Sequence, residues 1–186
     1  MNNNLPFFRY VGDVSKISHY IIKEFLYNKE IAIDATLGNG NDTDFLANNF
    51  KLVYAFEIQK CACDNYINNK KDNVNIINAS HHLIKEYISE PVDCIMYNLG
   101  FLPGGNKSIT TKNETSLKSI KDGLKILNKG GIMTICIYRG HDEGKIEESC
   151  IISYLESLPK NQYGVMLHSF LNRSVDAPLL VVVERK

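Results

Sequence analysis

The stretch that most constrains this chain is Asp34-Ala35-Thr36-Leu37-Gly38-Asn39-Gly40-Asn41-Asp42-Thr43. A short apolar run, Ile31-Ala32-Ile33, stands before it, and Phe45-Leu46-Ala47 follows. The first reads as a buried strand and the second as the opening inward face of a helix. The segment is therefore strand, glycine turn, helix. Gly38 and Gly40 lack Cβ atoms, so backbone N–H groups there can come close to a ligand at the positive end of the helix. Asp34 falls at the carboxyl end of the strand, the edge where open α/β sheets bind ligands. Two glycines also occur in many plain turns. The meaning of this pair rests on what the rest of the chain brings to the same edge.

The pattern repeats along the chain. Before the turn, Asp13 to Asn28 carries Val14, Ile17, Ile21 and Phe25 at helical spacing with Tyr20 beside them, and Asp13 or Ser15 is placed to cap the start. After it come a strand over Leu52–Phe56 ending at Glu57, a polar helix over Gln59–Asn69, a strand over Val74–Ile77, a short helix over Leu83–Ile88 and a strand over Val92–Tyr97. A helix over Thr115–Leu127 follows, with Leu117, Ile120, Leu124 and Leu127 on one face, and Gly130-Gly131 supplies a left-handed cap. Ile132–Tyr138 is a fifth strand. Glu143–Leu158 is a helix with Ile146, Cys150, Ile151, Tyr154 and Leu158 inward, stopped by Pro159. Two last strands, Tyr163–Leu171 and Leu179–Val183, are joined by a loop too short for a helix, which requires antiparallel pairing. Strand and helix alternating up to a final hairpin predict an α/β, Rossmann-like sheet of seven strands, mostly parallel with the last antiparallel, and helices on both faces. The one long irregular segment, Phe101 to Glu114, follows the fourth strand, where a loop of such length is usually functional.

Bulk properties narrow the classes of function. A chain of 186 residues can bury a full core as one domain. Its formal net charge is zero, so nucleic acid would have to be held by a local patch or a second subunit, not by a global field. The five cysteines are odd in number and scattered; Cys94 and Cys136 fall in apolar strands, and Cys61 and Cys63 are two apart on a helix and point different ways. No disulfide framework or metal site is expected, and a reducing compartment fits. Met1 to Pro6 has no apolar signal core and no apolar run spans a bilayer, so the expected location is cytoplasmic.

Four strand ends gather on one edge of such a sheet. The first carries Asp34, Thr36 and the glycine turn. The second carries Glu57, seventeen positions past Gly40, where a carboxylate can accept hydrogen bonds from ribose hydroxyls. The third carries Ser80 and His81 near the expected place of an adenine ring; a structural cap would account for His81 equally well, and His82 reads as surface. The fourth carries Asn98, in Asn98-Leu99-Gly100-Phe101-Leu102-Pro103-Gly104-Gly105. A plain turn has no need of that asparagine. An amine-methylating enzyme does, because its side-chain oxygen and a neighbouring carbonyl can accept the target N–H groups and aim the nitrogen lone pair at a methyl donor. Asp34, His81 and His141 are the candidates for a base. Tyr138 and His141 follow the fifth strand and can stack on a nucleobase, or serve only as loop residues. Lys107, Lys112, Lys118, Lys121 and Lys125 can neutralise phosphates, although a solvated helix face explains the last three.

With these residues in view the chain resembles the small bacterial class I methyltransferases labelled rRNA methylases, whose members are associated with 5-aminomethyl-2-thiouridine at the tRNA wobble position. The resemblance rests on Asp34 to Thr43, Phe56-Glu57-Ile58-Gln59, Ser80-His81, Asn98 to Gly105 with Lys107, Tyr138-Arg139-Gly140-His141 with Gly144, and His19. It implies one methyltransferase domain over residues 1–186, S-adenosylmethionine as cofactor, a tRNA anticodon stem-loop as partner, a homodimer, and neither metal nor membrane. It further implies that Asp34, Thr36, Gly38, Asn39, Gly40, Asp42, Thr43, Glu57, Gln59, Ser80 and His81 hold the cofactor. Asn98 would face the reacting amine, within a substrate surface of Leu99, Gly100, Leu102, Pro103, Gly104, Lys107, Tyr138 and His141. Arg139 stands where such proteins often have proline, and Asp176-Ala177-Pro178 where they have asparagine and two prolines. The alternatives are another amine, such as an rRNA base, and a nicotinamide-dependent oxidoreductase. Against the latter, Thr43 occupies the third glycine position of G-x-G-x-x-G.

Overall fold

The computed structural model describes residues 8, 10–102, 104, 110–140 and 142–186. Its strands are β1 (Ile31–Asp34), β2 (Leu52–Phe56), β3 (Val74–Ile77), β4 (Val92–Leu99), β5 (Leu127–Ile137), β6 (Tyr163–His168) and β7 (Leu179–Arg185). The helices are α1 (Val14–Phe25), α2 (Asn41–Asn49), α3 (Lys60–Ile67), α4 (Ile84–Tyr87), α5 (Asn113–Ile126) and α6 (Asp142–Glu156), with a 3₁₀ turn over His81–Leu83. The strands form one sheet in the order β3-β2-β1-β4-β5-β7-β6. β1 to β5 pair in parallel, and β7 runs antiparallel to both β5 and β6. The expected seven-stranded arrangement with its reversed last strand is therefore present.

Strand order turns back between β1 and β4. That puts Asp34, level with Met96, and Asn98, two residues further along β4, at the switch point where such sheets bind ligands. Alternate side chains serve the two faces. Ile33, Ile95, Tyr97, Met133 and Ile135 pack with Ile84, Ile120, Leu124, Ile151 and Leu155 of α4, α5 and α6. Ala32, Val53, Ala55, Cys94 and Met96 pack with Ile22, Leu46, Ala47, Cys63 and Tyr66 of α1, α2 and α3. α5 lies close on the sheet because Gly123 leaves room: a Cβ there would stand 3.0 Å from both Ile95 and Met133.

Three local expectations change. Gly130 and Gly131 do not cap α5, which ends at Ile126 with Leu127 already extended. They belong to a bulge at the start of β5, where the register passes from Val92–Leu127 to Cys94–Ile132. Gly130 takes φ 75° in that bulge, and Asn128 Nδ2 donates to Asp93 Oδ1 at 2.7 Å to hold it. α6 buries Gly144, Glu147, Ile151 and Leu155, and leaves Ile146 49% exposed. The helix is rotated because the Glu147 carboxylate turns inward to accept from Thr111 Oγ1 at 2.9 Å, a pairing invisible to an apolar count. α1 likewise buries Val14, Ile17, Ser18 and Ile22, while Tyr20 and Phe25 face outward. Asp13 caps α1, accepting from the Ser15 N–H at 2.9 Å. Cys63, Cys94 and Cys136 are buried, Cys61 is exposed, and all are free thiols. Among the described residues no helix is long and apolar enough to cross a membrane, and no cluster of three or more His, Cys, Asp or Glu is placed to hold a metal.

Candidate active site

The turn after β1 is built from inside. Asp34 is fully buried, its Oδ1 accepting from the Thr36 N–H at 3.0 Å and its Oδ2 from Thr43 Oγ1 at 2.6 Å. Thr43 is fully buried too. Burial first, then the nearby Asp42 carboxylate, pushes the Asp34 carboxyl up to about 7. Gly40 closes the turn at φ 83° as the N-cap of α2, and its N–H donates to Leu37 O at 2.7 Å. A Cβ on Gly40 would lie 2.3 Å from the Tyr66 ring, so the position excludes a side chain twice over, by backbone and by space. Tyr66 is itself tied to Asp44 Oδ1 at 2.7 Å, which clamps α3 to the head of α2.

Glu57 sits half-buried beyond β2. Its Oε2 accepts from the Gly38 N–H at 3.0 Å and its Oε1 from the Gln59 N–H at 2.8 Å. The acid and the glycine turn are thus joined in space, as their sequence separation suggested. Ser80 lies half-buried after β3, and its hydroxyl bonds His82 Nδ1 at 2.8 Å. His81 turns inward and is only 7% exposed. Its Nδ1 meets Ala35 O at 3.2 Å, its Nε2 meets Ser116 Oγ at 3.4 Å, and its ring stands edge-on to Tyr97. Desolvation lowers its pKa to about 4, so the ring is neutral and donates from Nδ1. His82 is half-buried, not a free surface residue.

Asn98 is held at two points. Its N–H donates to Thr36 Oγ1 at 2.8 Å, and its Nδ2 donates to Asp42 Oδ2. Asp42, 4% exposed, also accepts at Oδ1 from Ser15 Oγ at 2.9 Å and from His19 Nε2 at 2.6 Å. His19 is stacked on Phe45 with centroids 3.9 Å apart. The Asn98 Oδ1 atom is buried and has no hydrogen-bond partner among the described residues. Ser15 joins the site although its position in the sequence marks it only as a helix-cap candidate. Its spacing of four from His19 on α1 puts the two on one face, which is the signal that would have found it.

The far side of the cleft follows β4 and β5. Leu99 is fully buried as the last residue of β4, so its side chain packs in the core. Its carbonyl accepts from the Tyr138 N–H at 3.0 Å, which brings the half-exposed Tyr138 ring over Gly100. Leu102 Cδ1 reaches toward Gly38, and Thr111 N–H donates to Gly100 O at 3.0 Å, closing the base of the long loop. Pro103, Gly105, Lys107 and His141 lie outside the described residues; Asn39 and Gly104 are exposed. Lys118 and Lys125 pair with Asp122, and Lys121 stands over the Tyr154 ring at 4.9 Å, as a helix face does. The two unusual stretches are connected: Arg139 Nε donates to Ala177 O at 2.8 Å, and its Nη1 pairs with Glu148 at 2.6 Å.

The fold is that of a class I methyltransferase, and comparison with known proteins agrees. The profile of the family described as "Putative rRNA methylase" matches residues 53–184. A crystal structure of an rRNA-methylase of that description from Clostridium thermocellum superposes with a TM-score of 0.88 at 34% identity, covering 95% of this chain and 99% of the other. A "putative methyltransferase" from Streptococcus mutans, in complex with S-adenosylhomocysteine, superposes at 0.85 with 34% identity over 95% and 99% of the two chains. A curated relative, the chloroplastic tRNA (mnm(5)s(2)U34)-methyltransferase of Arabidopsis thaliana, is 32% identical over 92% of this chain and 69% of its own length. The chain belongs to the rRNA methylase family, and it is an S-adenosylmethionine-dependent methyltransferase. The residues present fit that cofactor: a bare-backbone turn and a strand-end carboxylate share one rim.

Proposed function

We propose that this enzyme methylates the exocyclic amine of 5-aminomethyl (2-thio)uridine at the wobble position of tRNA, giving the 5-methylaminomethyl form. The Arabidopsis relative, whose name states that substrate, supports the reading. The observation that carries it is the buried, unpartnered Oδ1 of Asn98. A buried carbonyl oxygen without a donor is costly to keep, and an incoming N–H satisfies it.

S-adenosylmethionine supplies an electrophilic methyl group on a sulfonium. Gly38, Asn39, Gly40, Gln59 and Ser80 would line its seat, and Glu57 would accept hydrogen bonds from its ribose hydroxyls. Asp34 and Thr43 brace the turn from beneath. Asn98 Oδ1 accepts one N–H of the substrate amine, and a backbone carbonyl of the Asn98–Gly105 turn accepts the other. Held so, the amine would keep its lone pair free for the methyl group that the cofactor supplies, and alignment would provide most of the rate. The amine must arrive neutral, since an ammonium has no lone pair. Of the three candidate bases, Asp34 and His81 are buried with their polar atoms engaged, which favours His141. Tyr138 and Gly100 face the nucleobase, and a second copy of the chain extends the RNA surface that one neutral monomer lacks.

Asn98→Ala is expected to lower kcat on aminomethylated tRNA by about 100-fold, the scale seen when one preorganised hydrogen-bonding group is removed from an active site. S-adenosylhomocysteine affinity should be retained. Mass spectrometry of tRNA nucleosides from a deletion strain checks the substrate: unchanged 5-methylaminomethyl levels overturn the assignment. Methyl incorporation into rRNA by the purified enzyme, with none into tRNA, would favour the rRNA base implied by the family's description.

A further inference from the structure

Asp42 belongs to the first turn of α2, where an acid is ordinarily explained by the helix dipole. Its contacts say more. The side chain is almost wholly buried and reaches away from its own helix toward α1 and β4. Ser15 and His19 of α1 both donate to Oδ1, and Asn98 Nδ2 donates to Oδ2.

A carboxylate has acceptors only, whereas an amide has a donor side and an acceptor side. The Asn98 NH₂ group must therefore face Asp42. The carbonyl oxygen then faces the opposite way, and that is the atom left buried without a partner. With an amide or a water in place of Asp42, both flips of Asn98 could be satisfied locally. The carboxylate permits one. Its own aim is fixed from α1 by Ser15 and by His19, whose ring lies flat on Phe45 with an interplanar angle of 4°.

We propose that Asp42 is a positioning residue: braced by Ser15 and His19, it locks the Asn98 amide in the orientation that presents Oδ1 to the substrate amine. The inference rests on the function proposed above and departs from the expectation that Asp42 holds the cofactor. It also explains why α1, which precedes the sheet, packs its polar edge against the site.

Asp42→Asn keeps the volume but restores the ambiguity, because asparagine can donate as well as accept. It should lower kcat about tenfold at saturating cofactor and leave S-adenosylhomocysteine affinity unchanged. In ¹⁵N spectra the Asn98 side-chain NH₂ pair, assigned by its loss in Asn98→Asp, should show one strongly downfield proton in the wild type that moves upfield in Asp42→Asn. Unchanged kcat overturns the proposal. So does a loss of cofactor affinity with the rate recovered at saturation, which would make Asp42 a cofactor ligand. Should Asp42→Asn not fold, the wild-type spectrum decides alone: an Asn98 NH₂ pair at ordinary shifts overturns the proposal. Wild-type enzyme inactive on aminomethylated tRNA would overturn the substrate reading instead, and the spectrum would still report whether Asp42 orients Asn98.

Discussion

Asp34 shows how a single buried acid sets a pH dependence. Its carboxyl is pushed from the ordinary 3.8 to about 7, mainly by burial and then by Asp42, so the folded chain holds its proton over a range where the unfolded chain has lost it. The native state binds more protons than the unfolded state between those values, and stability falls as pH rises through that window. Asp34's contribution is whole below pH 3.8, declines across the interval and is gone above about 7. Asp34→Asn can still accept from Thr36 and donate to Thr43 without ionising. The stability of Asp34→Asn relative to wild type should therefore be greater at pH 8 than at pH 5. Urea denaturation at the two pH values measures this, and an equal difference at both would mean that Asp34 titrates normally.

At the scale of elements, the strand–turn–helix unit works because α3 presses on it. Gly40 is both left-handed and in contact range of Tyr66. Gly40→Ala should cost about 2–4 kcal/mol, combining the left-handed backbone with a displaced ring. In a Tyr66→Ala background the steric part disappears, and about 1–2 kcal/mol of backbone strain should remain. A double-mutant cycle in denaturant separates the two, and full recovery in the background variant would show that the backbone term is absent. The turn was recognisable from its glycines and the flanking apolar runs. Tyr66 was not, because no local pattern links a residue of the next helix to a particular glycine. The same limit governs α6. Glu147 reads as a solvent-facing acid until Thr111, from a distant loop, turns it inward.

For the molecule as a whole, the sheet reversal between β1 and β4 collects the turn, Glu57, Ser80 and Asn98 along one edge. A ligand spanning those four strand ends would bind only the folded state. S-adenosylhomocysteine at about 100 times its Kd should stabilise the chain by about 2.7 kcal/mol, or roughly 5–10 °C in Tm for a protein of this size. NAD at the same concentration should leave Tm unmoved. Differential scanning fluorimetry tests both arms, and a shift with NAD alone would contradict the methyltransferase cofactor. The formal net charge of zero gives one chain no long-range pull on nucleic acid, so an RNA substrate would have to be held by local contacts.

Sheet class, strand order of the hairpin and the glycine turn are written in local patterns, since hydrophobic period and turn chemistry act between near neighbours in the chain. Asn98 was legible too, as a polar residue ending an apolar strand. The state of that asparagine was not. Its bond to Asp42 spans 56 positions, and the brace from Ser15 and His19 to Asp42 spans 27 and 23. Whether Asp34 keeps its proton, which way His81 faces and which amide atom is left open depend on burial and on partners that only folding brings together. Local sequence carries propensity, but desolvation and hydrogen-bond geometry exist only once the chain has packed.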